Sequence, residues 1–178
     1  GDALLIASGA GNSPWTVLSQ GVSQISGWSI GVTTFLTSLA VLLFWIPLKQ
    51  KPGIGTILNV VLISIAIEVS LAYLPQPDSY ALQVAEAGLG ILLVGFGSGL
   101  YLIANLGPGP RDGLMTGLQR VTNLPVARVR TAIEVAVVFF GWLLGGTIGL
   151  GTLMFAFGIG PAVSMGLYVV NYFSTRST

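Results

Sequence analysis

Residues 82–106 read LQVAEAGLGILLVGFGSGLYLIANL, twenty-five residues with a single charge, Glu86, near one end. A helix needs about 20 apolar residues to cross the hydrocarbon core of a bilayer, so this stretch reads as a membrane span. Four more stretches, at 29–48, 54–74, 126–144 and 148–172, meet the same requirement. The segments between them, Lys49-Gln50-Lys51-Pro52-Gly53, Pro75-Gln76-Pro77-Asp78-Ser79 and Gly145-Gly146, have turn-forming composition. The expected fold is therefore all-α, a polytopic helical membrane protein whose main solvent is lipid.

Composition agrees with that reading. Of 178 residues, seven are Lys or Arg and six are Asp or Glu, which is 7% of the chain against roughly 25% in soluble domains. Apolar residues make up 53% and mean hydropathy is +0.86, more apolar surface than one core can hide. There is no Cys and no His, which removes disulfides, thiolate nucleophiles, His acid–base pairs and the usual zinc and haem ligands. No metal, no cofactor and no enzymatic activity are expected. A net charge of +1 spread over scattered basic residues gives nucleic acid no footprint.

Two longer linkers, 11–27 and 107–125, each open on a Gly-x-x-Pro pattern, Gly11-Asn12-Ser13-Pro14 and Gly107-Pro108-Gly109-Pro110. Sliding the chain against itself by 96 positions pairs residues 1–78 with 97–174 without a gap and gives sixteen identities, where about seven would arise by chance. The matches include Gly11/Gly107, Pro14/Pro110, Gly21/Gly117, Gly53/Gly149, Gly55/Gly151 and Thr56/Thr152, positions where backbone geometry is demanding. Each unit holds one span, a linker helix and two further spans. An odd number of spans brings the second unit in from the opposite side, so the reading is an inverted-topology repeat of two three-span units. Residues 79–96 hold the outer loop and the start of the fourth span. Residues 1–11 match only the end of that span, so about fifteen residues of a first span are expected to be missing from this chain.

Starting from the cytoplasm, this topology puts Lys49, Lys51, Arg111, Arg120, Arg128, Arg130 and Arg176 on the cytoplasmic side, with Asp78 the only charge in the outer loops. The positive-inside rule therefore supports six spans with both ends in the cytoplasm.

Pro14 and Pro110 suit the first position of a helix, with Ser13 and Gly109 before them as caps. Polar residues then recur on one face, at Thr16, Ser19, Gln20, Ser23 and Gln24, and at Asp112, Thr116, Gln119, Arg120 and Asn123. Two readings stay open. The linker helices either lie in the membrane interfaces with that face to water, or carry their N-termini inward to a cavity where free N–H groups and Arg111 favour an anion. Asp112 beside Arg111 could form a purely structural pair with it.

Glu134 lies near the middle of the span at 126–144, where a carboxylate costs about 2.5–3.5 kcal/mol on insertion scales. Arg130, four residues earlier, can offset that cost as an ion pair; protonation is the other route, and would make Glu134 a proton carrier. Glu68 has no basic residue within a turn and must reach a polar group on another helix, meet water or be protonated. Asn59 reads as an interhelical hydrogen-bonding residue. Gly158-Ile159-Gly160-Pro161 is expected to interrupt its span with a kink. Gly95 and Gly99, four apart, should let two backbones touch, most simply against the first span, with dimerisation through the same face as the alternative.

The Ser13-Pro14-Trp15 run and Gly107-Pro108-Gly109-Pro110-Arg111-Asp112-Gly113-Leu114 resemble signatures of the bacterial YitT/YczE-like integral membrane family. The likeness extends to Pro52-Gly53-Ile54-Gly55-Thr56 and Ile148-Gly149-Leu150-Gly151-Thr152, though Thr16 stands where such proteins commonly have Asp. The resemblance implies the bacterial cytoplasmic (inner) membrane and a permease-like role. The expected function is a small secondary transporter of a small anionic solute. Its contacts would be Pro14, Trp15, Thr16, Gln20, Pro110, Arg111, Asp112 and Thr116, with Glu134 and Glu68 as proton-coupling groups. The alternative is a non-transporting subunit or regulator that binds a partner protein or lipid, and a homodimer fits either.

Overall fold

The computed structural model describes residues 1–174, with side chains to residue 169; Arg176, one of the seven basic residues in the orientation argument, lies outside them. Among the described residues every regular element is a helix: α1 (Asp2–Ser8), α2 (Pro14–Ser26), α3 (Ile30–Trp45), α4 (Ile54–Leu71), α5 (Tyr80–Ala104), α6 (Pro110–Thr122), α7 (Val126–Leu143) and α8 (Leu150–Ser174). The linker helices α2 and α6 start at their prolines, as expected, and α6 has Gly109 as its N-cap. Asn123, left-handed at φ 55°, ends α6, and Arg120 in its last turn suits the negative end of the dipole.

The chain is a membrane protein with three helices, α4, α5 and α8, long and apolar enough to cross a bilayer. The pair α2 and α3, bent by 116° at its break, qualifies as a fourth only when taken together. The five stretches read from sequence do not all reach that standard. Helix α3 has 16 residues, about 24 Å of rise, and α7 carries Arg128, Arg130 and Glu134 within 18 residues.

Two compact units form. The first contains residues 1–13, 70–105 and 147 onward, so α1, α5 and α8. Its core is Leu5, Ala10, Ala87, Ile91, Phe155 and Ile159. Helices α5 and α8 run together on small residues: a Cβ on Gly95 would fall on Ala162, and one on Gly99 would lie 2.8 Å from the Gly166 backbone. This corrects the expectation that Gly95 and Gly99 face the first span or a second copy. Helix α8 supplies its own small pair, Ala162 and Gly166, four residues apart, and the two flat faces close on each other. Helix α1 meets α5 earlier, at Gly90, against Leu5. Pro161, where a kink is expected, lies inside one continuous helical segment, with the Ser164 hydroxyl donating to the Gly160 carbonyl at 3.0 Å.

The second unit contains residues 14–69 and 106–146. In it α2 packs on α7, α3 on α6, α2 on α3 and α6 on α7. Close approaches recur at an offset of 96. A Cβ on Gly21 would meet Leu144 and one on Gly117 would meet Leu48; likewise Gly113 opposes Trp45, and Gly141 opposes Val17 and Leu18.

The Gly-x-x-Pro turns follow the same rule, each within its own unit. Gly55 N–H donates to the Leu106 carbonyl at 2.9 Å, and Gly151 N–H to the Ala10 carbonyl at 2.8 Å. Gly53 N–H donates to Thr56 Oγ1 at 3.2 Å, and Gly149 N–H to Thr152 Oγ1 at 3.3 Å. Gly107 and Gly11 hold φ of 116° and 119°, a conformation that L side chains rarely adopt. The turn identities Gly11/Gly107, Gly53/Gly149 and Gly55/Gly151 are thus points where backbone rests on backbone.

Candidate binding site at two helix N-termini

The first turns of α2 and α6 meet in the second unit. Pro14, Trp15, Thr16 and Val17 are buried, as are Pro110 and Gly113, whereas both helices end exposed, at Gln24-Ile25-Ser26 and at Arg120-Val121-Thr122. The guanidinium carbon of Arg111 sits 5.5 Å from the centroid of the Trp15 ring, within cation–π range. Trp45, 2% exposed, donates its indole N–H to the Pro110 carbonyl at 3.0 Å and rests on Gly113. That wedge fixes the start of α6 against the end of α3.

Electrostatics makes this end positive. Free N–H groups and the helix dipole already place partial positive charge at an N-terminus. Arg111, in the first turn of α6, adds a full cation where the dipole prefers an anion, and Asp112 in the same turn offsets part of it. A guanidinium so placed can hold an oxyanion through two parallel bonds.

The predicted contact residues divide. Trp15 and Arg111 come together, with Pro14 and Thr16 buried in the same turn of α2 and Pro110 at the head of α6. Gln20 is half-buried one turn further on, and Asp112 is exposed. Thr116 turns its hydroxyl to its own helix, donating to the Gly113 carbonyl at 3.1 Å. The polar face of α2 is not a water-facing stripe along its whole length, since Thr16 and Ser19 are fully buried.

Glu134 is held by Arg130, Nε to Oε1 at 2.8 Å, in the i, i+4 geometry expected of a local pair. Glu68 reaches another helix: its Oε2 accepts the backbone N–H of Gly31 at 3.0 Å, in the first turn of α3. With Ser29 Oγ accepting from Val32 N–H at 3.4 Å, two of the orphan donors of that helix start are met. A carboxylate is favoured at this end of the dipole.

Residues 1–166 match the family described as "Family of unknown function (DUF6198)". The chain belongs to this family. A similar protein from Haemophilus influenzae, "Uncharacterized protein", is 44% identical over 170 residues, covering 96% of this chain and 78% of the relative. The "Uncharacterized membrane protein YczE" of Bacillus subtilis is 32% identical over 173 residues, 94% of this chain and 80% of the relative. "Uncharacterized protein YyaS", also from Bacillus subtilis, is 26% identical over 158 residues, 86% of this chain and 79% of the relative. The likeness to YczE-like membrane proteins drawn from the motifs therefore holds. No solved structure matches.

In this DUF6198 chain the residues that sequence reading missed are Trp45, which wedges the site, and Gly31, which receives Glu68. The available signal for the wedge was Gly113 and Gly117, four apart in a helix that glycine disfavours. Glu68→Leu is expected to lower stability by about 1 kcal/mol, since it removes the acceptor of a helix-start N–H, and Glu68→Gln by less. Thermal unfolding of the detergent-solubilised protein checks this, and equal midpoints for Glu68→Leu and the parent would show that the contact contributes nothing.

Proposed function

We propose that this DUF6198-family protein is a small secondary transporter that moves a small anionic solute across the bacterial cytoplasmic membrane by alternating access. Both termini are assigned to the cytoplasm. The observation that carries the reading is Arg111 lying over Trp15. These residues are counterparts at the offset of 96, and counterparts touch each other only where a two-fold axis passes. Val41 with Val137, and Leu18 with Leu114, are further counterpart pairs gathered in the same cluster. Together with the reciprocal glycine contacts, they support an inverted repeat whose axis runs between the first turns of α2 and α6. Inverted-repeat transporters place their solute at such an axis, facing the N-termini of short helices.

The competing reading, a non-transporting subunit or regulator, draws support from Glu134 being held by Arg130. Flux in proteoliposomes separates the two, using labelled lactate, butyrate, nitrate and phosphate with and without a pH gradient. Above the protein-free rate, at least one anion is expected to exchange, and Arg111→Gln is expected to slow it about tenfold or more. Glu134→Gln is expected to remove the response to the pH gradient while leaving exchange without a gradient. Unchanged gradient-driven flux would take Glu134 out of the mechanism, and no flux of any anion would favour the subunit reading.

A further inference from the structure

Three buried polar groups in the second unit have no hydrogen-bond partner: Trp15 Nε1, Ser19 Oγ and Thr34 Oγ1. Their residues are 7%, 0% and 2% exposed. Each such group forfeits its hydration without recompense, and buried polar atoms are otherwise nearly always satisfied. Trp15 and Ser19 are one turn apart on one face of α2, and Thr34 is in the second turn of α3, which packs on α2. Packing alone does not demand a hydroxyl at 19. Its counterpart at the offset of 96, Met115, is buried at 6% with an apolar side chain.

We infer that the solute is a short-chain monocarboxylate whose carboxylate is bound by the Trp15 indole N–H and the Ser19 hydroxyl beside the Arg111 guanidinium. This rests on the transport reading above and names its solute. The guanidinium lies over the indole ring, so an oxyanion held by Arg111 is within reach of the ring N–H. The surroundings of Trp15 select the rest of the molecule: Val41, Val137, Leu18, Leu114 and Ile133 cluster with it and offer only apolar contact. A carboxylate head with a short alkyl tail satisfies both. Neither donor atom is exposed to bulk solvent in this arrangement, so α2 must part from its neighbours to admit the solute, the movement that alternating access requires.

The test is thermal unfolding of the full chain in detergent, titrated with sodium butyrate against matched sodium chloride. Butyrate is expected to raise the midpoint and saturate. Trp15→Phe keeps an aromatic side chain but removes the N–H; Ser19→Ala removes the hydroxyl. Each is expected to raise the half-saturating butyrate concentration about tenfold or more. Ser19→Ala should also unfold at a higher temperature without butyrate, because it deletes a buried group that lacks a partner. A lower midpoint for Ser19→Ala would reveal a structural partner and overturn the assignment. So would unchanged butyrate binding in both variants, which would mean that internal water serves these groups. If nitrate or phosphate crosses the membrane in the flux assay while butyrate fails to bind, the carboxylate assignment falls and transport stands. If butyrate binds through these donors but never crosses, the carboxylate site stands and transport falls.

Discussion

Gly113→Ala is expected to destabilise the protein by about 3 kcal/mol, at the upper end of what overpacking costs. A Cβ at this position would clash with Cζ2, Cη2 and Cε2 of the Trp45 indole. The indole cannot retreat, because it is 2% exposed and its N–H is bonded to the Pro110 carbonyl at 3.0 Å. Trp45→Phe deletes the ring atoms that the new methyl meets, losing one hydrogen bond and some packing, for about 1–3 kcal/mol alone. In combination the two changes should cost less than their sum, with a coupling of about 1 kcal/mol or more. Thermal unfolding of the parent, both single variants and the double variant provides the cycle. Additivity within about 0.5 kcal/mol would mean that Trp45 and Gly113 do not share that contact. The junction also sets where Arg111 sits, so Gly113→Ala should weaken anion binding along with stability.

The second large effect belongs to the Gly-x-x-Pro turns. Gly107→Ala and Gly11→Ala are each expected to cost about 3 kcal/mol or more, because two penalties combine. One is conformational, at φ of 116° and 119°. The other is steric: a Cβ on Gly11 would lie 2.6 Å from Gly149 N, and one on Gly107 would lie 3.0 Å from Gly53 Cα and Thr56 Oγ1. Gly97→Ala and Gly160→Ala are the controls. Neither has an atom within 4 Å of the added methyl, both lie inside helices, and alanine there should be neutral or stabilise by up to about 1 kcal/mol. Folded yield and unfolding midpoint in detergent report the difference. Similar losses in all four variants would show that the turns are no more demanding than any other glycine.

Some elements are legible without the fold. The stretch at 82–106 and the prolines at 14 and 110 declare their helices through local chemistry, hydrophobic length in one case and a missing N–H in the other, so α5, α2 and α6 appear where expected. Glu134 with Arg130 was equally legible, because i, i+4 spacing decides who meets whom within one helix. Gly95 and Gly99 were legible only as a flat face. The identity of the facing helix depends on which other element presents small residues at matching height, and that is a property of α8.

By itself, the sequence determined a lipid-dissolved, all-helical chain without thiol or imidazole chemistry, and an offset of 96 at which demanding glycines recur. These follow from composition and from constraints that act within a few residues. Only the tertiary structure decided that Gly11 rests on the backbone of Gly149 and Gly107 on that of Gly53, that Glu68 serves the start of α3, and that Arg111 lies over Trp15. Each joins residues at least 37 positions apart in the chain, and no local preference encodes which distant helix arrives at a given face.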